Sequence, residues 1–505
     1  MSVVNKQAEF TLSEARLSSP PADDLLRYYL QPHLAHERRR FDEFLSVDLA
    51  HTAMIAEQGI IARDVAKALL AALLELRSKG EAAIAFDPLK GSFLLQVESY
   101  LRDKVGEHFS GQMHTGRSRI DQGATVRRLF ERNRTLEVFE ALVACRNAVL
   151  DMATKHSRTV MPGYTHMQQA QPWVFGHYLL SFSARLEESF ERLSQAYSRV
   201  NRNALGTVGL SGTSWPLDRH RTTQFLGFED IVDNSKLGRE AYYAAELVAA
   251  LSFIMSDLND LATDLHVWSS TEFGFVESAD AYCGTSSIFP QKKNPVGLEA
   301  VKHSAGEAVT WLATALATFR AEGTGDQAMR ELPIAEDALS SVHASLRLLS
   351  GIISTLIVHE ERMLASVKAS WATASNLADA IVRECGLSFR EVHHVVGRFV
   401  RNCLAAGLQP ADATSSQLAQ AAIETLGHPI ELPQELVSKA LDPQDFVRTR
   451  VTTGSVAPAE VDRMLVRARE RIEVHRGWLS QERARIAAGA ATLSKAIASI
   501  IEEAQ

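Results

Sequence analysis

Residues 239–269 read REAYYAAELVAALSFIMSDLNDLATDLHVWS. Within them Leu247, Leu251, Ile254, Leu258, Leu261, Leu265 and Trp268 alternate steps of four and three. That spacing is a heptad seam held for about three heptads, and such a seam needs a helical partner. Val248 and Phe253 add apolar surface off the seam, so burial by several neighbours is expected. Similar helical patterns run over about 124–158, 174–200, 296–320 and 336–366, while alternating strand patterns are scarce. The chain therefore reads as a bundle of long helices whose surplus apolar surface is shared between subunits.

Composition agrees with a large, mostly helical protein. The chain has 505 residues, 46% of them hydrophobic, which allows several domains and an extensive core. Its 53 Lys and Arg against 61 Asp and Glu give a net charge of -8, with no basic stripe of the kind that binds nucleic acid. Four widely spread cysteines (Cys145, Cys283, Cys385, Cys403) show no CxxC and no metal-ligand spacing with histidine, as expected of thiols in a reducing compartment. The first residues, MSVVNKQAEFTLSEARL, lack the apolar core of a signal peptide, and no unbroken apolar run reaches about 18 residues. A cytoplasmic protein that contacts neither membrane nor nucleic acid is expected.

Breaks in the helical pattern fall at 86–92, 203–219, 271–295 and 321–333. After about residue 366 the helical pieces shorten, until VTTGSVAP (451–458) marks another helix start, with Pro458 and Glu460 suited to a first turn. The expected division is an N-terminal helical domain over 1–117, a long-helix bundle over 118–365 and a small C-terminal helical domain over 366–505.

Three polar stretches interrupt the helices. MHTGRSRIDQ (113–122) precedes a long helix; it suits either a capped helix start with solvated arginines or a carboxylate-binding loop. MPGYTHMQQAQP (161–172) sets Thr165 and His166 between two prolines, and that histidine suits either a structural role or proton exchange near neutrality. GTSSIFPQKKNP (284–295) places Lys292 and Lys293 just before a helix, with Asn294 the expected N-cap and Pro295 the first helical residue. Ammonium charge, free amides and the helix dipole converge there as an anion site, and Gly284 to Ser287 read as a mobile, hydroxyl-bearing lid.

In this order the three stretches resemble the signature regions of the fumarase/aspartase superfamily, and within it most closely argininosuccinate lyase. The motifs HTGRSRID, GYTHMQQAQP and TSSIFPQKKNP carry the likeness. SGTSWPLDR (211–219), EFGFVE (272–277), NLADAIVRECGLSFREVHHVVGRFV (376–400) and VTTGSVAP extend it over roughly residues 40 to 475.

The resemblance implies an all-α, three-domain fold with a long central bundle, assembled as a homotetramer whose active sites draw on three subunits. It implies a lyase that eliminates an amine from an N-substituted aspartate and releases fumarate, with no metal or organic cofactor. Ser286 matches the serine that removes the proton, and Lys292 and Asn294 match the residues at the substrate carboxylate. His166 matches the histidine that helps protonate the leaving group, and Glu299 its carboxylate partner. Thr165, Gln171, Ser118, Arg119 and Ser287 fall at substrate-binding positions. The alternatives are a homologue specialised for a different aspartate adduct, another superfamily reaction, and a catalytically silent structural relative.

Some positions depart from the family pattern. Ile120 stands where the family carries a substrate-binding Asn. Ser92 and Leu94 replace an Asp-x-His pair, although Glu98 and Leu101 of that segment remain. Arg38 aligns with an expected serine, and EGTGDQAMRELPIAED (322–337) is short and lacks tyrosine. Thr285 replaces the Gly before the serines, which would stiffen the lid or move its hinge. These changes fall on groups that hold the substrate, while the residues of the elimination remain. An altered amine half is therefore expected.

Overall fold

The computed structural model describes residues 20–319 and 332–502. The N-terminal 19 residues and most of the 322–337 segment lie outside the described residues. The principal helices are α1 (Phe41–Glu57), α2 (Arg63–Lys79), α3 (Phe93–Val105), α4 (Arg119–Lys155), α5 (Phe175–Val200) and α6 (Tyr242–Trp268). They continue with α7 (Val296–Ala308), α8 (Trp311–Phe319), α9 (Pro333–Ser354), α10 (Ala374–Cys385), α11 (Phe389–Ala405) and α12 (Pro458–Glu502). The chain is all-α apart from four two-stranded ladders among the described residues.

The heptad seam from Leu247 to Trp268 is the inner face of α6. Leu247, Leu251, Ile254, Leu258, Leu261, Leu265 and Trp268 are all buried, and α6 packs against α5, α7, α8 and α9. Val248 is buried as expected, but Phe253 is 56% exposed, with the Arg192 guanidinium over its ring. The neighbours supplied by one chain cover the seam and not that flank.

Two expected helices are each divided. The 296–320 pattern breaks between α7 and α8, where the Thr310 amide and hydroxyl both turn back to the Glu307 carbonyl, a tighter i−3 closure that ends the α-ladder. The 336–366 pattern breaks after α9, because Ile357 and Val358 leave the helix to pair with Glu277 and Val276. Helical periodicity continues across both breaks, since each new helix turns its apolar face to the same core.

Three large hydrophobic clusters organise the described residues. The largest joins α4, α5, α6, α7, α8 and α9; a second joins α1, α2 and α3; a third gathers residues 377–441 around α10 and α11. The 45-residue α12 crosses between the first two, contributing Val461, Leu465, Ile472 and Leu479 to the bundle and Leu493, Ala496, Ile497 and Ile500 to the N-terminal cluster. One stretch of α12 is long and apolar enough by composition to cross a membrane, with mean hydropathy 1.3.

Candidate active site

The 161–172 stretch is not the expected loop. It forms a hairpin of β1 (Val160–Thr165) and β2 (Gln168–Val174), with Thr165 opposite Gln168 and a bulge at Ala170. His166 and Met167 are the two loop residues, with φ of 55° and 58°. Two consecutive left-handed residues between paired strands define a type I′ turn, which normally selects Asn-Gly. Gly163 makes the close strand approach possible, since a Cβ there would stand 2.7 Å from the Gln171 carbonyl. The hairpin tip, from Thr165 to Gln168, is exposed. Gln171 is also exposed and donates to Ser375 Oγ at 3.3 Å.

The 113–122 stretch forms the capped start of α4. Ser118 is the N-cap: its Oγ accepts from the Ile120 amide at 3.1 Å, and Asp121 returns the contact by accepting from the Ser118 amide at 2.8 Å. Arg119 is exposed. Arg117, the other arginine of the motif, is enclosed and donates to Asp48 Oδ1 at 2.6 Å, so it is not a ligand-facing group. Ile120 is half-buried in the first helical turn.

The third stretch is a hairpin too. Gly284 and Thr285 (β3) pair with Asn294 and Lys293 (β4), and residues 286–292 form the loop between them. The expected lid therefore loses its first two residues to a ladder. Thr285 is extended there, a conformation that suits a β-branched residue. Ser286 Oγ accepts from the Ile288 and Phe289 amides at 3.3 and 3.0 Å, folding the loop back on itself. Ser287 is exposed. Asn294 is not the N-cap: its side chain donates to the Thr285 carbonyl at 3.4 Å, Pro295 occupies the cap position, and α7 begins at Val296.

The two lysines are not equivalent. Lys293 Nζ donates to Glu277 Oε1 and Asp280 Oδ1, both at 2.6 Å. Those contacts raise the lysine's pKa and hold both carboxyls below their usual range. Lys292 is exposed, and among the described residues its ammonium has no assigned ion pair.

Lys292, Asn294 and Glu299 line an open cavity of about 1480 Å³, together with His266 at the end of α6, His359 and Arg362. Arg362 is committed to the Phe273 carbonyl at 2.5 Å and the Thr271 carbonyl at 2.9 Å, which shapes the wall. Glu299 Oε1 stands 3.9 Å from His266 Nε2, so its imidazole neighbour within one chain is His266 rather than His166. His266 is not marked by any of the three motifs; its place off the α6 seam, in the last helical turn, is the signal the sequence offers for it. No group of three or more His, Cys, Asp or Glu suited to a metal occurs among the described residues.

The candidate residues thus lie on three elements: the α4 N-terminus, the β1–β2 tip and the β3–β4 loop with α7. Of the third set the cavity lining holds Lys292, Asn294 and Glu299 but neither Ser286 nor Ser287, and it includes none of Thr165, His166, Gln171, Ser118 or Arg119.

Residues 26–310 match the lyase family model, and residues 371–448 match the argininosuccinate lyase C-terminal model. Argininosuccinate lyase of Methanothermobacter thermautotrophicus is 37% identical over 453 residues, covering 89% of this chain and 96% of the relative. Argininosuccinate lyase 1 of Shouchella clausii is 33% identical over 455 residues, covering 89% and 91%. EDDS lyase, solved in complex with formate, superposes with a TM-score of 0.86 at 30% identity, covering 96% of this chain and 97% of that one. The 3-carboxy-cis,cis-muconate lactonizing enzyme of Pseudomonas putida shares the fold, with a TM-score of 0.69 at 19% identity over 88% and 99% of the two chains.

Proposed function

The chain belongs to the argininosuccinate lyase family of the fumarase/aspartase superfamily and is a carbon–nitrogen lyase that eliminates an amine from an N-substituted aspartate to release fumarate; from that premise we propose how its residues divide the reaction and which half of the substrate has changed. The observation that carries the assignment of roles is the contrast between the two lysines. Lys293 is neutralised by Glu277 and Asp280, so Lys292 is the charge left to meet a substrate carboxylate at the start of α7.

The chemical difficulty is the weakly acidic C–H beside a carboxylate. Removing that proton leaves a carbanion with aci-carboxylate character, carrying two negative charges on the carboxyl group. Lys292 and Asn294 stabilise that dianion; the loss of one such donor typically costs about 10²–10³ in rate. Ser286 takes the proton. Its hydroxyl becomes a competent base only when the loop excludes water and brings cationic charge near, so closure precedes chemistry. The nitrogen then leaves with the C–N electron pair, and His166 protonates it with Glu299 favouring the imidazolium. Thr165, Gln171, Ser118, Arg119 and Ser287 hold the substrate. Their separation within one chain supports a site completed by other copies in a homotetramer. A cytoplasmic location fits a soluble metabolic lyase.

The amine half differs from arginine in this reading. Ile120 supplies no amide at a position where the family has one, and a site deprived of a polar partner discriminates strongly against ligands that need it. The test is to incubate the protein with argininosuccinate and with a panel of N-substituted aspartates while following the ultraviolet absorbance of fumarate. Turnover of an adduct other than argininosuccinate is expected. Argininosuccinate turnover of roughly 1–10³ s⁻¹, ordinary for an enzyme, would sink the altered-substrate reading.

A further inference from the structure

The carboxylate of Asp48, on α1, is enclosed in the N-terminal cluster with no exposed side-chain surface. Arg117 Nη1 and Gln122 Nε2 both donate to its Oδ1 at 2.6 Å. One turn along α1, His51 Nε2 lies 3.0 Å from the Thr115 carbonyl. Asp48 and His51 therefore grip both sides of the Gly116 turn, from which the chain passes directly to Ser118 and Arg119. Gly116 has φ of 74°, and a Cβ there would meet Leu217 at 2.9 Å, so the turn is also confined from outside.

As a purely stabilising device this cluster is poor. Asp48 Oδ2, Arg117 Nε and Nη2, and Gln122 Oε1 are buried without a hydrogen-bond partner. A buried ion pair with unsatisfied atoms does not recover its desolvation cost, and apolar residues of similar volume generally stabilise as well or better. What the pair does supply is a defined direction. A guanidinium held by a fixed carboxylate leaves the adjoining turn little freedom.

We propose that Asp48 is a positioning residue: through its enclosed ion pair with Arg117 it fixes the turn that presents Ser118 and Arg119 to the substrate. The proposal rests on the reading that Ser118 and Arg119 bind substrate, and Asp48 itself touches none.

The test measures fumarate affinity by calorimetry, and melting temperature, on the full-length protein. Four proteins are compared: wild type, Arg119→Ala, Asp48→Asn and the apolar double variant Asp48→Leu with Arg117→Met. A lost hydrogen bond to a charged group weakens binding by about tenfold or more, so both Asp48 variants are expected to bind fumarate at least about tenfold more weakly. The double variant is expected to stay folded, because removing the buried ion pair's desolvation cost offsets the partner that Gln122 loses. A folded double variant with wild-type affinity, alongside a weakened Arg119→Ala, overturns the positioning role alone. Wild-type affinity in Arg119→Ala overturns the substrate-loop reading and the proposal with it. Should the double variant not fold, Asp48→Asn decides: a lowered melting temperature with unchanged affinity marks the pair as structural only.

Discussion

The Lys293 ammonium donates to the Glu277 carboxylate at 2.6 Å, tying the β3–β4 hairpin to the segment that leads out of α6. Both adjacent lysines line the cavity, but Lys293 is held by two carboxylates and anchors the loop, while Lys292 has no assigned ion pair among the described residues. Lys292→Gln is expected to lower kcat by about 10²–10³, the usual cost of a missing donor to a developing charge. Lys293→Gln is expected to cost less in the chemical step and to raise proteolytic cleavage of residues 286–292. Equal losses of kcat in the two variants would remove the distinction.

The anchor also has a pH signature. Glu277 and Asp280 have folded-state pKa values below the ordinary carboxylate values, with hydrogen bonding from Lys293 the leading cause. Their contribution is present above the unfolded pKa and is lost as pH falls through the depressed folded values. Loop protection from proteolysis should therefore decline in acid for wild type and show no such acid step in Lys293→Gln.

Ser286→Ala is expected to lower fumarate release by about 10²–10⁴-fold, the range for loss of a positioned proton acceptor. Size-exclusion chromatography should show unchanged assembly, because the hydrogen bonds Ser286 makes among the described residues are to Ile288 and Phe289 of its own loop. Retained activity would move the base elsewhere.

The β1–β2 turn stores backbone strain. Met167 has φ of 58°, which costs an L-residue roughly 1–2 kcal/mol and glycine almost nothing. Met167→Gly should raise stability by about 1 kcal/mol in denaturant titration, less whatever the unfolded glycine chain gains in entropy. Gly163→Ala should act in the opposite direction, because its Cβ would collide with the Gln171 carbonyl.

Glu336, at the start of α9, receives Arg40 Nε at 2.9 Å and lies 3.2 Å from His36 Nε2. Burial raises its pKa, but His36 and Arg40 together outweigh burial and bring it down to about 2, from an ordinary 4.5. Its stabilisation is complete above the unfolded value and disappears as pH falls towards the folded one. Wild type should lose melting temperature between about pH 4.5 and about pH 2 more steeply than Glu336→Gln does.

Much of this molecule is legible locally. The four-three spacing from Leu247 to Trp268 identifies α6 and its buried face without reference to any partner, because helical periodicity depends on residues a few positions apart. A capped helix start, one of the two readings of 113–122, and Pro458 at a helix start are legible for the same reason. The I′ turn at His166 and Met167 was not, since neither residue is a usual choice there; β-pairing across Gly163 and Gln171 imposes it. Asn294 reads as a cap by type, yet pairing with Gly284 takes it into a ladder first.

By itself, the sequence determined that long helices form, that their seams require partners, and that the residues of a lyase stand in family order. The tertiary structure decided which of those residues are free to act. Arg117 and Arg119 look alike in the motif, but Asp48, 69 residues away, encloses the first. Lys292 and Lys293 look alike too, but Glu277, 16 residues back, neutralises the second. Helix formation is a local property of neighbouring residues. Whether a charge is satisfied depends on which distant carboxylate the folded chain brings within hydrogen-bonding distance, and spacing along the sequence carries no record of that.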